Sequence, residues 1–242
     1  EEEKNASFEP VQEEEKRPSS EEKRGISEKL FNTARSFGIQ PFIDKDTGDI
    51  CVSLDHSGRK EVFPLHSSTF KAFLTKRYYE ESGDIVSQTA IEKASRLLAA
   101  YPDKLPLSVT FLRIGHRGNT LFLDLADDLG SVIEIDAQGW RLSENPPLFR
   151  RNQAMRPLPF PQKGGNLGLL GQFLNTDGED SFVLAVSWLL ATLLPRGPYP
   201  VAIVSGEHGS GKSSACLYLK KIIDPGIRAR GMPKDEEALF AT

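Results

Sequence analysis

The stretch "GEHGSGKSS", Gly206 to Ser214, combines residue types and a spacing that suit phosphate binding. It reads G-x-x-x-x-G-K-S, the Walker A pattern. Glycines let the backbone curve closely around an anion, so that successive N–H groups point inward. Lys212 can reach the terminal phosphates as a point charge, and the Ser213 hydroxyl can ligate Mg²⁺. The pattern predicts a site for ATP and magnesium. Its predicted nucleotide contacts are Gly206, Gly209, Ser210, Gly211, Lys212, Ser213 and Ser214, with Lys212 and Ser213 as catalytic residues and Ser213 as the magnesium ligand.

The elements around this loop are those that a phosphate loop requires. "YPVAIVS", residues 199–205, is apolar and β-branched, which is typical of a strand inside a parallel sheet. "SSACLYLKKII", residues 213–223, predicts a helix whose positive end faces the phosphates. Upstream, "SFVLAVSWLLATLL" predicts a buried apolar helix that Asp180 caps and Pro195 ends, after a shorter helix at "LGLLGQFLN". The fold class predicted for residues 167–242 is α/β, the start of a P-loop (RecA/AAA+-like) ATPase domain.

The residues that usually complete such a site are not evident. Phosphoryl transfer also needs an acid at the end of a neighbouring strand and often an arginine. Asp235, Glu236 and Glu237 follow Pro233 and are better interpreted as acids in the first turn of a helix. The chain has no initiator methionine and stops within a predicted helix, so we interpret it as a fragment, truncated before Walker B. We expect it to bind nucleotide weakly and not to turn it over.

Three further segments are predicted upstream. Residues 1–25 are rich in Glu, Lys, Ser and Pro and predict a disordered charged arm. Residues 26–142 predict a small mixed α+β accessory domain, with helices capped by Ser27, Ser67 and Ser87 and an antiparallel sheet after them. Residues 143–166 contain several prolines and a glycine pair, and predict an extended connector.

The connector is basic, which makes it the candidate contact for DNA. Arg150, Arg151, Arg156 and Lys163 could bind the phosphate backbone. Phe149 could stack on bases, as could Phe160 farther along. The alternative is a linker packed on the ATPase core.

Composition limits the class of protein. The apolar fraction of 38% and charged fraction of 26% are those of a soluble globular protein. The net charge of −4 lies in the first 25 residues, so the remainder is neutral and a globally basic nucleic-acid binder is not indicated. Two distant cysteines fit a reducing, cytoplasmic setting. The longest apolar run, residues 182–194, is too short to span a bilayer, so no membrane partner is expected.

Other residues that could do chemistry have simpler interpretations. Asp127 and Asp128 suit a solvated hairpin turn better than a metal site, and Asp124 suits the polar face of a strand. His208 lies within the phosphate loop, where a variable position is the simpler interpretation. The isolated histidines His56, His66 and His116 show no zinc-ligand spacing.

The C-terminal stretch from Pro200 to Thr242 resembles the start of the ATPase module in phage- and plasmid-type ATP-binding proteins, a replication-helicase-like family often associated with primase-polymerase domains. The similar features are "SGEHGSGKSS", "IIDP" and "MPKDEEALFAT", with "TLFLDLAD", "FRR" and "LPFPQKGG" upstream. The resemblance implies ATP and magnesium as cofactors at Gly206 to Ser213, single-stranded DNA as a partner of the parent protein, and a homo-oligomeric ring.

Two rival functions remain open from sequence. A small-molecule or nucleoside kinase shares the loop but usually places it near the N-terminus. A non-catalytic interaction module with an incomplete ATPase half needs no turnover. The preferred prediction is an ATPase fragment from a DNA replication helicase or translocase of a phage, plasmid or other mobile element.

Overall fold

The computed structural model describes residues 20–56, 59–100, 104–152, 154–194 and 197–226, apart from the side chains of residues 20–24, 56 and 59. Helices and sheets are mixed along this part of the chain. The helices are α1 (Ser20–Ser36), α2 (Ser68–Ser82), α3 (Gln88–Ala100), α4 (Gly178–Ala191) and α5 (Lys212–Ile223), with a 3-10 helix over Leu167–Gln172. The strands are β1 (Gln40–Asp44), β2 (Ile50–His56), β3 (Arg59–Pro64), β4 (Leu107–Ser108), β5 (Thr110–Phe111), β6 (Ile114–Arg117), β7 (Thr120–Asp124), β8 (Val132–Asp136), β9 (Gly139–Leu142) and β10 (Leu148–Phe149).

The main core lies between α1, α2, α3 and a four-stranded sheet in the order β3-β2-β1-β4. The sheet is antiparallel except where β4 runs parallel to β1. Apolar side chains on one face of each helix meet those of the sheet, which removes them from water and stabilises the layer. The buried members are Leu30, Phe31, Ala34, Ile39, Val52, Leu54, Leu65, Phe70, Leu74, Tyr78, Val86, Ile91, Ala94 and Leu98.

The local signals for α2 and α3 are confirmed. The Ser67 hydroxyl accepts a hydrogen bond from the Phe70 N–H at 3.1 Å and caps α2. The Ser87 hydroxyl accepts from the Ala90 N–H at 3.3 Å in front of α3. Each bond satisfies an amide that has no acceptor inside the helix, as the capping rule requires.

Helix α1 begins earlier than its sequence indicates. It starts at Ser20, seven residues before the predicted cap, and Ser27 is buried within it. Residues 20–25 of the predicted disordered arm are therefore helical, so that boundary is wrong. Packing of the later turns of α1 against α3 can extend a helix into a segment with weak apolar pattern. Residues 1–19 lie outside the described part of the chain.

The stretch "LSVTFLRIG", predicted as one strand, forms three short ones. Strand β4 pairs with β1, β5 pairs in parallel with β10, and β6 begins an antiparallel sheet in the order β6-β7-β8-β9. The backbone thus passes from one sheet to the next within a few residues. The connector contributes β10, whose Phe149 is buried with Phe122 and Val132.

Three predictions for the C-terminal part are wrong: the cap of α4, its burial and the strand at residues 199–205. Helix α4 forms, but Asp177 rather than Asp180 is at its N-cap, and none of its residues is buried. Residues 199–205 form no strand, and Val201 and Ile203 are 84% and 88% exposed. A central strand needs neighbours on both edges to pair its N–H and C=O groups. In the described residues no strand lies beside this segment, and no sheet covers α4.

Candidate functional site

Three glycines give the loop at residues 206–211 its shape. Gly206, Gly209 and Gly211 have φ angles of +152°, +81° and +85°, a region that residues with a Cβ rarely adopt. A Cβ at Gly206 would also lie 2.8 Å from the Ser210 hydroxyl oxygen, closer than real Cβ contacts come. The glycines of the Walker A pattern therefore stand where this backbone requires them.

The lysine of the pattern turns back across the loop. The Lys212 ammonium donates hydrogen bonds to the Gly206 carbonyl at 2.9 Å and the Glu207 carbonyl at 2.6 Å. An ammonium has three donors, so one remains for an incoming oxygen. This arrangement places a positive charge at the concave side of the loop.

Helix α5 begins within the pattern, at Lys212. Its first-turn amides, including those of Ser213 and Ser214, have no intrahelical acceptor because of helix geometry. The side chains of both serines are exposed. The helix N-terminus, the lysine and a free hydroxyl together make a site that can bind an anion and a magnesium ion.

The segment after the 3-10 helix contacts both the loop and α5. The Asn175 amide nitrogen lies 3.4 Å from the Ser210 carbonyl oxygen and donates to it. The Phe173 ring meets the Tyr218 ring edge-on, with 5.9 Å between centroids. These contacts connect residues 173–175 to the loop and to the middle of α5.

The far end of α5 is joined to the antiparallel sheet by a buried arginine. Arg113, 7% exposed, donates to an Asp224 carboxylate oxygen at 2.5 Å and to the carbonyls of Asp124 and Arg156 at 3.2 and 3.0 Å. Sequence analysis missed Arg113. No local signal relates Arg113 to Asp224, since the two residues are 111 positions apart.

The predicted DNA contacts in the connector do not form one patch. Arg150 is paired with Asp49 at 3.3 Å, and Arg151 forms a two-point ion pair with Asp124, its Nε lying 2.8 Å from one carboxylate oxygen. Burial acts to lower the pKa of Arg151, but the bonds to Asp124 raise it overall. Both guanidinium groups bind acids of the accessory domain, whereas the packed-linker alternative placed the connector on the ATPase core. Arg156 and Lys163 are exposed and form no ion pair among the described residues.

Asp124 differs from its predicted role on a polar strand face. It is fully buried and belongs to the pair with Arg151. Asp127 does lie in the turn, where its carboxylate accepts from the Ser131 N–H at 2.7 Å. Burial acts to raise the pKa of Asp127, but the bonds from Ser131 bring it below its usual value. Asp128, the second acid of this turn, is exposed.

Other candidates have ordinary surroundings. The His116 ring packs edge-on against Phe111 at 5.6 Å, while His66 and His208 are exposed. Cys51 is buried, which raises its pKa, and Cys216 is exposed. Within the described ranges no cluster of three or more His, Cys, Asp or Glu residues could hold a metal ion. The His56 side chain and the acids Asp235, Glu236 and Glu237 lie outside what the structure describes.

The described helices include none that is both long and apolar enough to cross a membrane. This holds for α4 as well, despite its composition.

Part of the chain matches a known protein family. Residues 167–242 match the family described as actinomycete integrative conjugative element replication protein. The matched range contains the Walker A loop and α5, and covers less than half of the chain. Over this range the chain is similar to replication proteins of a mobile element. No curated protein and no solved structure matches it.

Proposed function

We propose that this chain carries the ATP- and magnesium-binding part of a DNA replication protein from a mobile element. The observation that carries the proposal is the loop itself, with three glycines in the left-handed region, Lys212 on its concave side and α5 beginning within it. The match of residues 167–242 to a replication-protein family supports the biological setting.

Each residue of the loop has a role in this proposal. The backbone N–H groups of Gly209 and of residues 211–214 bind the phosphates, because they lie at the positive end of a helix, while the Ser210 N–H donates to the Glu207 carbonyl at 3.3 Å. Lys212 gives its third N–H donor to a terminal phosphate oxygen, in addition to its two carbonyl partners. Ser213 gives its hydroxyl to magnesium, which keeps its other positions for water and phosphate.

The parent activity that we propose is ATP hydrolysis coupled to movement on DNA, as a P-loop ATPase. Such turnover needs an acid to hold magnesium and orient water. The test therefore has two steps, nucleotide binding by this chain and DNA-stimulated hydrolysis by the longest available form of the protein.

Nucleotide binding is tested with a fluorescent ATP analogue in the presence of magnesium. Lys212→Ala removes the phosphate-binding charge and is expected to weaken binding by roughly 10–100-fold, since hydrogen bonds to charged groups contribute about 1.5–3 kcal/mol. Lys221→Ala is the matched control, because it removes an exposed lysine from the same helix. Ser213→Ala should reduce the dependence on magnesium more than the affinity without it.

Equal affinity in Lys212→Ala and Lys221→Ala would contradict the proposal. Hydrolysis that rises with single-stranded DNA supports the translocase, whereas turnover that depends on a small acceptor supports a kinase. If the full parent protein binds nucleotide but does not hydrolyse it, the non-catalytic interaction module is supported.

A further inference from the structure

A second site is suggested by a cleft of about 490 Å³ on the opposite side of the connector from the acidic turn of residues 127–131. Its volume falls within the roughly 300–1,000 Å³ of ligand-binding clefts. The first sheet contributes Gln40 and Lys60, strand β6 contributes His116 and Arg117, and the connector closes it with Asn145 and two prolines.

Among the described residues that line the cleft, none carries a carboxylate. Its two full charges, Lys60 and Arg117, are both positive. The neighbouring cavity of about 670 Å³ shares Lys60 and the connector wall at residues 145–147 with the cleft, and its other cation is Arg151, but acids outnumber cations in its lining. Five acids line it: Asp55, Glu61, Asp127, Asp128 and Glu144. The connector thus separates an acidic cavity from a basic one, although this part of the protein is close to neutral.

Lys60 and Arg117 differ in their ion pairing from the other cations near the sheets. Arg113, Arg141, Arg150 and Arg151 are each in an ion pair with an aspartate or glutamate. For Lys60 and Arg117 the described residues provide no carboxylate partner. Arg117 donates to the Asn145 carbonyl at 3.2 Å and lies over the Phe122 ring at 5.6 Å. These contacts orient the guanidinium without neutralising it, which leaves its charge for an anion.

The cleft also offers flat surfaces. The half-buried rings of Phe111 and His116 meet at its wall, with 5.6 Å between centroids. Pro146 and Pro147 also line the cleft, and their fixed φ angles limit the movement of that part of its wall. Unpaired positive charge beside an aromatic wall suits a polymer that carries both phosphates and exposed bases.

We propose that this cleft binds a single strand of nucleic acid, with Lys60 and Arg117 on the phosphates and the Phe111–His116 wall beside a base. The choice of nucleic acid as the ligand rests on the replication role proposed above, but the site is separate from the phosphate loop. A recessed cleft suits a strand with free bases better than a duplex, whose grooves are read by a protruding helix or ribbon.

The test measures the anisotropy of labelled oligo(dT) and oligo(U) with the 242-residue chain in the absence of nucleotide. The double variant Lys60→Gln/Arg117→Gln is expected to bind roughly tenfold more weakly, because each lost charge removes a charge-assisted contact. The slope of log affinity against log salt should fall by about one unit per phosphate contact. The matched control, Lys93→Gln/Arg96→Gln, removes the same charge from exposed positions on α3 and should bind as the wild type does.

A second variant distinguishes the loss of the binding site from misfolding of the protein. Gln40→Glu is nearly isosteric, lies at an exposed position and introduces one carboxylate into the cleft. It should weaken binding without changing the melting temperature. Arg156→Gln/Lys163→Gln tests the connector cations in the same assay.

The outcomes separate the two proposals. The site is supported if the wild type binds oligo(dT), oligo(U) or both more tightly than the cleft variants do. The oligonucleotide that shows this difference identifies the ligand as DNA, RNA or either. Wild-type affinity in the cleft variants, loss only in the connector variant, or binding of an acidic peptide but no oligonucleotide overturns it. Each result is independent of Lys212→Ala, which tests the nucleotide loop alone.

Discussion

Asp44 shows how a single buried charge is accommodated in this fold. Its side chain is 1% exposed at the end of β1. One carboxylate oxygen accepts from the N–H groups of Asp46 and Thr47 at 2.9 and 3.2 Å, and the other accepts from the Thr110 hydroxyl. Burial acts to raise the pKa of Asp44, but these bonds bring it below its usual value of 3.8. The same bonds join the β1–β2 turn to the start of β5.

Asp44 should therefore make stability depend on pH in the acid range. Because the folded pKa is below the unfolded one, the contribution is complete above about pH 4 and is lost as the pH falls through the folded pKa. Asp44→Asn should cost about 1–3 kcal/mol at pH 7 and flatten the acid limb of the stability curve, measured by urea unfolding. Asp46→Asn, an exposed change in the same turn, is the control. An unchanged acid limb in Asp44→Asn would show that other carboxylates are responsible.

At the scale of elements, α4 and residues 199–205 differ from the accessory domain in that their apolar side chains are exposed. Leu184 and Leu190 are 70% and 58% exposed on α4, and Val201 and Ile203 are more exposed still. Where exposed apolar side chains of this kind form a continuous surface, that surface commonly binds a partner or aggregates. By contrast, Leu74 on α2 is fully buried.

This contrast predicts that substitutions in α4 and in α2 will change the free energy of unfolding by very different amounts. Leu184→Gln should change the free energy of unfolding by no more than about 0.5 kcal/mol, as exposed positions do. It should also reduce the binding of a hydrophobic dye, since it interrupts the apolar surface. Leu74→Ala should cost about 2–5 kcal/mol because it leaves a cavity. A comparable loss of stability in the two variants would mean that α4 is covered in solution.

At the scale of the whole molecule, Arg113 connects the phosphate loop helix to the sheets. It binds Asp224 at the end of α5 and directly precedes β6, the strand that carries His116 and Arg117. The loop of residues 206–211 and the proposed cleft are thus joined by one helix, one ion pair and one strand. This connection is a contiguous physical path, and coupling along it requires measurement.

Removing the ion pair should loosen α5 in particular. Arg113→Met leaves three carbonyls and the half-exposed Asp224 without their donor, so hydrogen-exchange protection of residues 212–223 should fall by about 1–3 kcal/mol. Protection of α2 should stay unchanged. The control is Arg141→Met, which removes a half-exposed pair with Glu134 and Asp136 and should have little effect. If α5 and α2 lose protection equally in Arg113→Met, Arg113 stabilises the whole fold rather than this junction.

The sequence by itself determined the features that depend on a few neighbouring residues. Ser67 and Ser87 cap their helices, and the glycines of residues 206–211 take left-handed angles. These are local consequences of side-chain oxygens and missing Cβ atoms, so spacing predicts them. The ATP and magnesium site built on that loop remains a prediction.

Only the tertiary structure decided which charges neutralise each other and which surfaces stay open. Asp124 meets Arg151 across 27 positions, Asp49 meets Arg150 across 101, and Arg113 meets Asp224 across 111. These pairings depend on the path of the chain between sheets, and no local pattern records that path. The same reason explains why an apolar helix and a strand-like segment are exposed, since burial requires a neighbouring layer as well as a suitable composition.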